Sequence, residues 1–377
     1  MTKGNIGIDG RGALFYRGTG IGTYTWQLIS HLEAAAKNLR VFLPGEEYGG
    51  FSFQAKDALH YAEFNGDMWR EIFLPEALPK EHIALYHVPQ NGLGLPEKKC
   101  SLETVTIHDL IPYTFPETVG KGYLKEFLKE MPNVMERSDG IITVSQWSKN
   151  DIMKVFDYPE AKIQVIYEAP EPIYRPLPKN QAAAFLKETY NIKGEYILYV
   201  GGFGIRKNVK ALINAIYLLK KEEPFPFRLV LPGKRNHDFD QLDALIESLN
   251  LTEDVIFPDY VPVSDLPYFY SGATVMVYPS LYEGFGLPPL EAMASGTPVL
   301  SSRASSLPEV LGDAVLYFDA YNSLELAEQL HRLLSSRSLR RILTQKGLQK
   351  AAGYRWEKTA AETLAFFDQV QERETPQ

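Results

Sequence analysis

The chain has 377 residues, too many for one ordinary hydrophobic core and the right number for two domains of common size. Hydrophobic residues make up 45% of it and charged residues 23%, which excludes a disordered or fibrous chain. A formal charge of −8 argues against nucleic acid as a partner, because a phosphate backbone needs a basic footprint, and the single cysteine, Cys100, excludes an internal disulfide and a cysteine-cluster metal site.

The opening MTKGNIGIDG passes from polar residues straight into a strand-like run, without the apolar core of a signal peptide. Nowhere do about 18 apolar residues follow one another, so no membrane span is expected. A reducing cytoplasm fits the lone cysteine, with the inner face of the membrane as a further address. Short β-rich runs at 5–9, 41–44, 85–89, 104–109, 140–145 and 163–168 alternate with helical or loop segments, the rhythm of a parallel sheet covered by helices. A second series follows at 196–202, 227–233, 255–261, 275–280, 298–302 and 314–319. Between the two lie Pro170, Pro172, Pro176 and Pro178, which resist both helix and central strand.

The fold class is therefore α/β, with two Rossmann-like halves facing across a cleft. The expected layout is a first domain over 1–170, a linker over 171–178 and a second domain over 179–355. A C-terminal helix over 356–377, with Leu364, Phe367 and Val370 at helical spacing, is expected to cross the junction and pack back toward the first domain. A helix wholly inside the second half is the alternative. No repeat of fixed period is present, which sets solenoids and propellers aside.

Taken in chain order, the first chemical candidate is Gly18-Thr-Gly20-Ile21-Gly22, which opens the first helix. Its third glycine comes one residue too early for the dinucleotide fingerprint, and a polar stretch separates it from the strand ending at Asp9, so NAD is not expected. Next, Val105-Thr-Ile-His108-Asp109 ends a strand at the edge where open parallel sheets hold ligands. Lys121, Lys125 and Lys129 then recur every fourth residue near Leu124, Phe127 and Leu128. Such a face could rest on anionic lipid, although Glu126 and Glu130 dilute its charge and a solvated helix with a buried apolar side is the plainer reading.

In the second half, Tyr199-Val-Gly201-Gly202-Phe-Gly204-Ile-Arg206-Lys207-Asn208 follows a strand and opens a helix. Two cations at a helix start can offset the charge of a bound anion such as a phosphate. Asp238-Phe-Asp240 has the spacing of a metal-binding carboxylate pair but sits in a polar run and reads as a solvated helix N-terminus. With basic side chains neutralising phosphate, neither a metal ion nor any other cofactor is expected.

The richest segment is Pro279-Ser-Leu-Tyr-Glu283-Gly284-Phe285-Gly286-Leu287-Pro-Pro-Leu-Glu291-Ala-Met-Ala-Ser-Gly296-Thr-Pro298. Its glycines let backbone N–H groups face an anion, Pro288 and Pro289 suit a first helical turn, and Gly296 suits its end. Glu291 should then sit on a short helix, with Glu283 at the loop entrance within reach of a polyol.

This segment resembles the signature of family four of the retaining GT-B glycosyltransferases, the glycosyl transferases group 1. The match covers about residues 196–312, and in the first half the glycine loop, His108 and the region 142–151. The resemblance implies GT-B architecture and a set of roles. Glu283 would contact the transferred sugar, Gly284, Phe285, Gly286 and Leu287 would offer amides to sugar and phosphate, and Glu291 would hold the ribose diol. Arg206 and Lys207, with Gly202 beside them, would bind the diphosphate. Val261, in the segment 259–266, would lie near the base, and residues 305–310 near the phosphates. His108 would sit by the transferred sugar, orienting it and favouring an oxocarbenium ion through its carbonyl or its imidazole. Gly20, Ile21 and Gly22 would approach phosphate or acceptor.

The implied reaction passes a hexose from a nucleotide-sugar, of UDP-glucose type or GDP-mannose, to a hydroxyl acceptor in polysaccharide or lipid-linked glycan synthesis. It retains anomeric configuration, with domain closure excluding water. Two other classes remain open: a nucleotide-sugar 2-epimerase of the same build, which proton exchange in deuterated water would reveal, and a non-catalytic nucleotide-sugar-binding subunit, which would show no transfer.

Overall fold

A computed structural model describes residues 4–16, 18–44, 58–61, 68–222, 225–235 and 237–373. The chain forms two compact units, Met1–Glu168 with Arg355–Gln377, and Ala169–Tyr354.

In the first unit the apolar runs become strands β1 (Asn5–Asp9), β2 (Leu39–Pro44), β3 (Ala58–Tyr61), β4 (Ile83–Val88), β5 (Leu102–Ile107), β6 (Gly140–Thr143) and β7 (Ile163–Val165). All pair in parallel, in the order β3-β2-β1-β4-β5-β6-β7. Parallel strands covered on both faces are buried at successive positions and are mostly apolar, and the buried Glu103, Thr104 and Thr106 of β5 are hydrogen-bonded. Around the sheet lie α1 (Arg11–Phe15), α2 (Gly20–Ala35), α3 (Leu74–Lys80), α4 (Ile111–Thr114), α5 (Lys121–Arg137) and α6 (Gln146–Phe156). Thr19 and Ser145 cap α2 and α6 through their hydroxyls, satisfying amides that the first turn leaves without helical partners.

The second unit carries β8 (Tyr196–Leu198), β9 (Arg228–Val230), β10 (Val255–Ile256), β11 (Val275–Tyr278), β12 (Val299–Ser302) and β13 (Leu316–Phe318), in the parallel order β10-β9-β8-β11-β12-β13. Its helices are α7 (Lys179–Tyr190), α8 (Val209–Glu222), α9 (His237–Ser248), α10 (Leu266–Gly272), α11 (Leu287–Ala294), α12 (Leu307–Leu311), α13 (Ser323–Ser335) and α14 (Arg337–Ala351). The last helix, α15 (Trp356–Arg373), belongs to the first unit. There it packs on α2, β4 and β5. Phe367 meets the His87 ring at 5.1 Å, and Thr359 Oγ1 donates to the Tyr167 carbonyl at 2.7 Å.

Two expectations are corrected. The first sheet has a seventh strand, β3, four residues long and at the edge, too short for its pattern to stand out. Residues 11–15, read as part of a polar stretch, form α1. The proline segment 171–178 follows the boundary between the units, and there Leu177 N donates to Ser271 Oγ at 3.1 Å.

In both sheets the strand order reverses direction once, between β1 and β4 and between β8 and β11. At such a switch point the connections leave on opposite faces and open a crevice beyond the strand ends, where doubly wound folds hold ligands. The chain beyond β8 carries Arg206 and Lys207, and the chain beyond β11 carries Glu283.

Candidate active site

Arg206 and Lys207 lie on a 3-10 turn, Ile205–Lys207, and not on the start of α8 as expected. The turn is closed by Asn208 in a left-handed conformation, φ 55°, which suits a short polar side chain. Asn208 Nδ2 donates to the carbonyls of Pro279 (3.1 Å) and Ala320 (2.7 Å), tying the cationic turn to the ends of β11 and β13.

Both cations converge on one carboxylate oxygen. Glu283 Oε1 is 3.1 Å from Arg206 Nη1, 2.7 Å from Lys207 Nζ and 3.0 Å from the Tyr278 hydroxyl. Lys207 Nζ also donates to the Tyr278 hydroxyl at 3.1 Å, and Arg206 donates to the Tyr282 carbonyl. Burial alone would push the Glu283 carboxyl up, but Lys207 and Arg206 hold it down at about 2. The result is a buried anion position lined by two cations and a hydroxyl, occupied by the protein's own carboxylate.

The loop beyond Glu283 is fixed from the β12–α12 connection. Glu283 N donates to Ser305 Oγ at 2.7 Å, while Ser306 Oγ donates to the carbonyls of Glu283 (2.9 Å) and Phe285 (3.0 Å). Gly284 and Phe285 are buried within it. Gly286 takes φ 110°, and a Cβ there would fall 2.7 Å from Leu307 Cδ2, so only glycine fits. Leu287 then begins α11, with proline in its first turn.

Glu291 stands one turn into α11, where the Tyr270 hydroxyl donates to its Oε2 at 2.7 Å. Burial pushes its carboxyl up to about 7; the Tyr270 hydroxyl opposes this, and the charge of Glu171 adds to it. Val261 is buried after β10, beside Asp259, which adopts φ 58° and pairs with Arg235 Nε at 2.8 Å. The Gly202 carbonyl accepts the Tyr199 hydroxyl, and its α-carbon faces open space.

His108 and the Gly20–Gly22 loop belong to the first unit. The His108 ring is buried between Glu168 Oε1, 3.0 Å from Nδ1, and the Pro89 carbonyl, 2.9 Å from Nε2. The Ser148 hydroxyl donates to the His108 carbonyl at 3.0 Å. Both ring nitrogens are thus engaged inside the protein. Gly20 and Ile21 form the first turn of α2, with the Gly22 amide capped by Thr19 Oγ1 at 3.2 Å. A Cβ on Gly20 would meet nothing within 4 Å.

The second unit thus brings Arg206, Lys207 and Glu283 into contact, whereas Glu291 is held by Tyr270. Sequence reasoning missed Tyr270, Tyr278 and Glu168, each a partner of a candidate residue. Among the described residues no group of three His, Cys, Asp or Glu side chains is placed to hold a metal ion. Also among them, no helix is long and apolar enough to cross a membrane.

Fold and site define a two-unit α/β protein in which two cations and a carboxylate meet beyond the strand ends at the second switch point. Residues 182–350 match the family "Glycosyl transferases group 1", and residues 18–169 match "Glycosyltransferase Family 4". The O-antigen chain mannosyltransferase B of Escherichia coli is 34% identical over 280 residues, 74% of this chain and 73% of its own length. The serotype-specific mannosyltransferase WbdA of the same organism is 30% identical over 363 residues, 93% of this chain but 44% of its own length. This chain therefore spans less than half of WbdA. Among solved structures, the sucrose-phosphate synthase of Thermosynechococcus elongatus superposes with a TM-score of 0.78 at 20% identity, covering 99% of this chain and 100% of that one, a likeness of fold. The chain belongs to glycosyltransferase family four, with the GT-B fold, and is a glycosyltransferase of the hexosyl-transferring class.

Proposed function

We propose that this enzyme transfers a mannosyl group from GDP-mannose to a hydroxyl of a growing polysaccharide or lipid-linked glycan, with retention of configuration and without a metal ion. The observation that carries the reading is the convergence of Arg206 and Lys207 on a single buried oxygen. A site that holds a carboxylate this way suits a phosphate oxygen equally well, because both are compact anions that accept charge-assisted hydrogen bonds. The names of the mannosyltransferase relatives favour mannose over the UDP-linked hexoses.

In this reading the donor diphosphate takes the two cations and the amides of Gly284 to Leu287, and Glu283 turns to the sugar hydroxyls. Glu291 accepts the ribose diol. As the bond from C1 to the phosphate oxygen breaks, negative charge grows on the phosphate beside Arg206 and Lys207, which stabilise the transition state more than the ground state. The acceptor oxygen bonds to C1 on the same face, and its proton passes to the departing phosphate. The first unit supplies the acceptor's surroundings, and the exposed Lys121, Lys125 and Lys129 of α5 would face an anionic membrane carrying a lipid-linked acceptor.

A thermal-shift panel tests the donor. GDP-mannose should raise the melting temperature more than UDP-glucose or ADP-glucose, a ligand at about 100 times its Kd adding about 2.7 kcal/mol by mass action. Lys207→Ala should lose most of that shift. A larger shift with a UDP-sugar would overturn the choice of donor.

A further inference from the structure

The His108 ring donates or accepts at two points, and both partners there are acceptors: the Glu168 carboxylate and the Pro89 carbonyl. A neutral imidazole carries one N–H and would turn a lone pair toward one of these oxygens at hydrogen-bond distance. Two N–H groups remove that repulsion. The pair must therefore hold one more proton than a neutral ring beside an ionised carboxylate. Placed on the ring, that proton gives both nitrogens an N–H, one for each acceptor. His108 is 6% exposed and Glu168 4%, so the pair is buried.

The surroundings agree. The Tyr24 ring meets His108 edge-on at 4.6 Å, and its hydroxyl bonds Thr106 Oγ1 at 3.0 Å. Behind it His87, between Thr104 and Thr106, is kept neutral: burial first, then the charge of His108, lowers its pKa to about 3. Asp109 adds a second negative charge near the ring. The main chain is fixed as well, with His108 N donating to Asn91 Oδ1 at 2.9 Å.

We propose that Glu168, the last residue of the first unit before the chain crosses to the second, is a positioning residue for glycosyl transfer: it holds His108 as a doubly hydrogen-bonded imidazolium. A ring in that state has no lone pair with which to take the acceptor's proton. It leaves residue 108 to act through its main-chain carbonyl, by the second lone pair of an oxygen that already accepts from Ser148. The inference rests on the reading of His108 as a residue of the reaction centre.

Glu168→Gln keeps the volume and removes the counter-charge, so burial is no longer offset and the ring becomes neutral. In the wild type, the imidazolium is lost as pH rises through a pKa raised by Glu168; in the variant the same loss comes at lower pH. The alkaline limb of kcat should move to lower pH, and kcat at about pH 8 should fall roughly tenfold or more with little change in KM for the donor. Glu168→Asp, which restores the charge, should recover part of the limb. A kcat and pH profile like those of the wild type would overturn the proposal.

Nitrogen NMR of the His108 ring in the wild type decides the matter even if the variant does not fold. Two protonated nitrogens are expected to persist to higher pH than in a free imidazole, and a ring that is neutral wherever a free imidazole is contradicts the proposal. His108→Ala removes the ring that anchors the main-chain carbonyl of residue 108 and keeps the carbonyl itself. If that variant turns over normally, the ring anchors nothing the reaction needs and the proposal fails; if it is impaired while Glu168→Gln is not, only the role of Glu168 fails.

Discussion

Glu283 and Glu291 are both buried carboxylates on one loop and helix, yet their neighbours drive them apart. Two cations hold Glu283 at about 2, whereas burial near Glu171 lifts Glu291 to about 7. Glu283 is thus ionised throughout the working range, and Glu291 titrates within it. Only the ionised form of Glu291 accepts two hydroxyls of a diol, so GDP should bind more tightly as pH rises through about 7. Calorimetry at about pH 6 and about pH 8 should show this slope in the wild type, and a weaker, flat affinity in Glu291→Gln. An unchanged slope in the variant would remove Glu291 from the nucleotide site. The sign for stability is the opposite. A folded-state pKa above the ordinary 4.5 means the folded chain binds the proton more tightly, so without nucleotide this group's contribution is lost as pH rises toward about 7. The candidate glutamates and cations were legible because they are crowded with glycine and proline into short segments. Tyr270, Tyr278 and Glu168 were not, since they meet Glu291, Lys207 and His108 from 21, 71 and 60 residues away, and no local period marks such pairs.

Parallel strands buried on both faces leave uninterrupted apolar runs, and for this reason the sequence series foreshadows every strand but β3. Their ends were less legible. The run expected over 196–202 stops at Leu198, shortly before Gly201 with φ 154°, and the run beginning at Pro298 becomes a strand only at Val299, because proline cannot donate to the ladder. Helix α1 has five residues, too few for a 3.6-residue period to show. Packing of α15 depends on a small residue that the sequence did not single out. Gly140 opens β6, and a Cβ there would lie 2.7 Å from Phe366 and 2.9 Å from Val370. Gly140→Val should force α15 away from the sheet, lowering stability by about 1–3 kcal/mol in thermal unfolding, as overpacking does. GDP affinity should be unchanged, because Arg206, Lys207, Glu283 and Glu291 lie in the other unit. A melting temperature equal to the wild type's would mean that this helix packs more loosely than described.

The two units repeat one plan. Each is a doubly wound sheet whose order reverses once, and each carries its candidate residues beyond the strand ends near that reversal or beside it. Their contents differ: the second unit gathers two cations around one carboxylate oxygen, while the first buries the His108 ring against Glu168. The claim on which the rest depends is that Arg206 and Lys207 do the work a divalent ion would otherwise do. The direct measurement is proton NMR of the first product formed from GDP-mannose and a mannose-containing glycan acceptor, with and without a chelator. The account predicts an α-linked product, formed at the same rate in both, and a loss of roughly 10²–10³-fold in Lys207→Ala. A β-linked product, or a rate abolished by chelator and restored by magnesium, would contradict it.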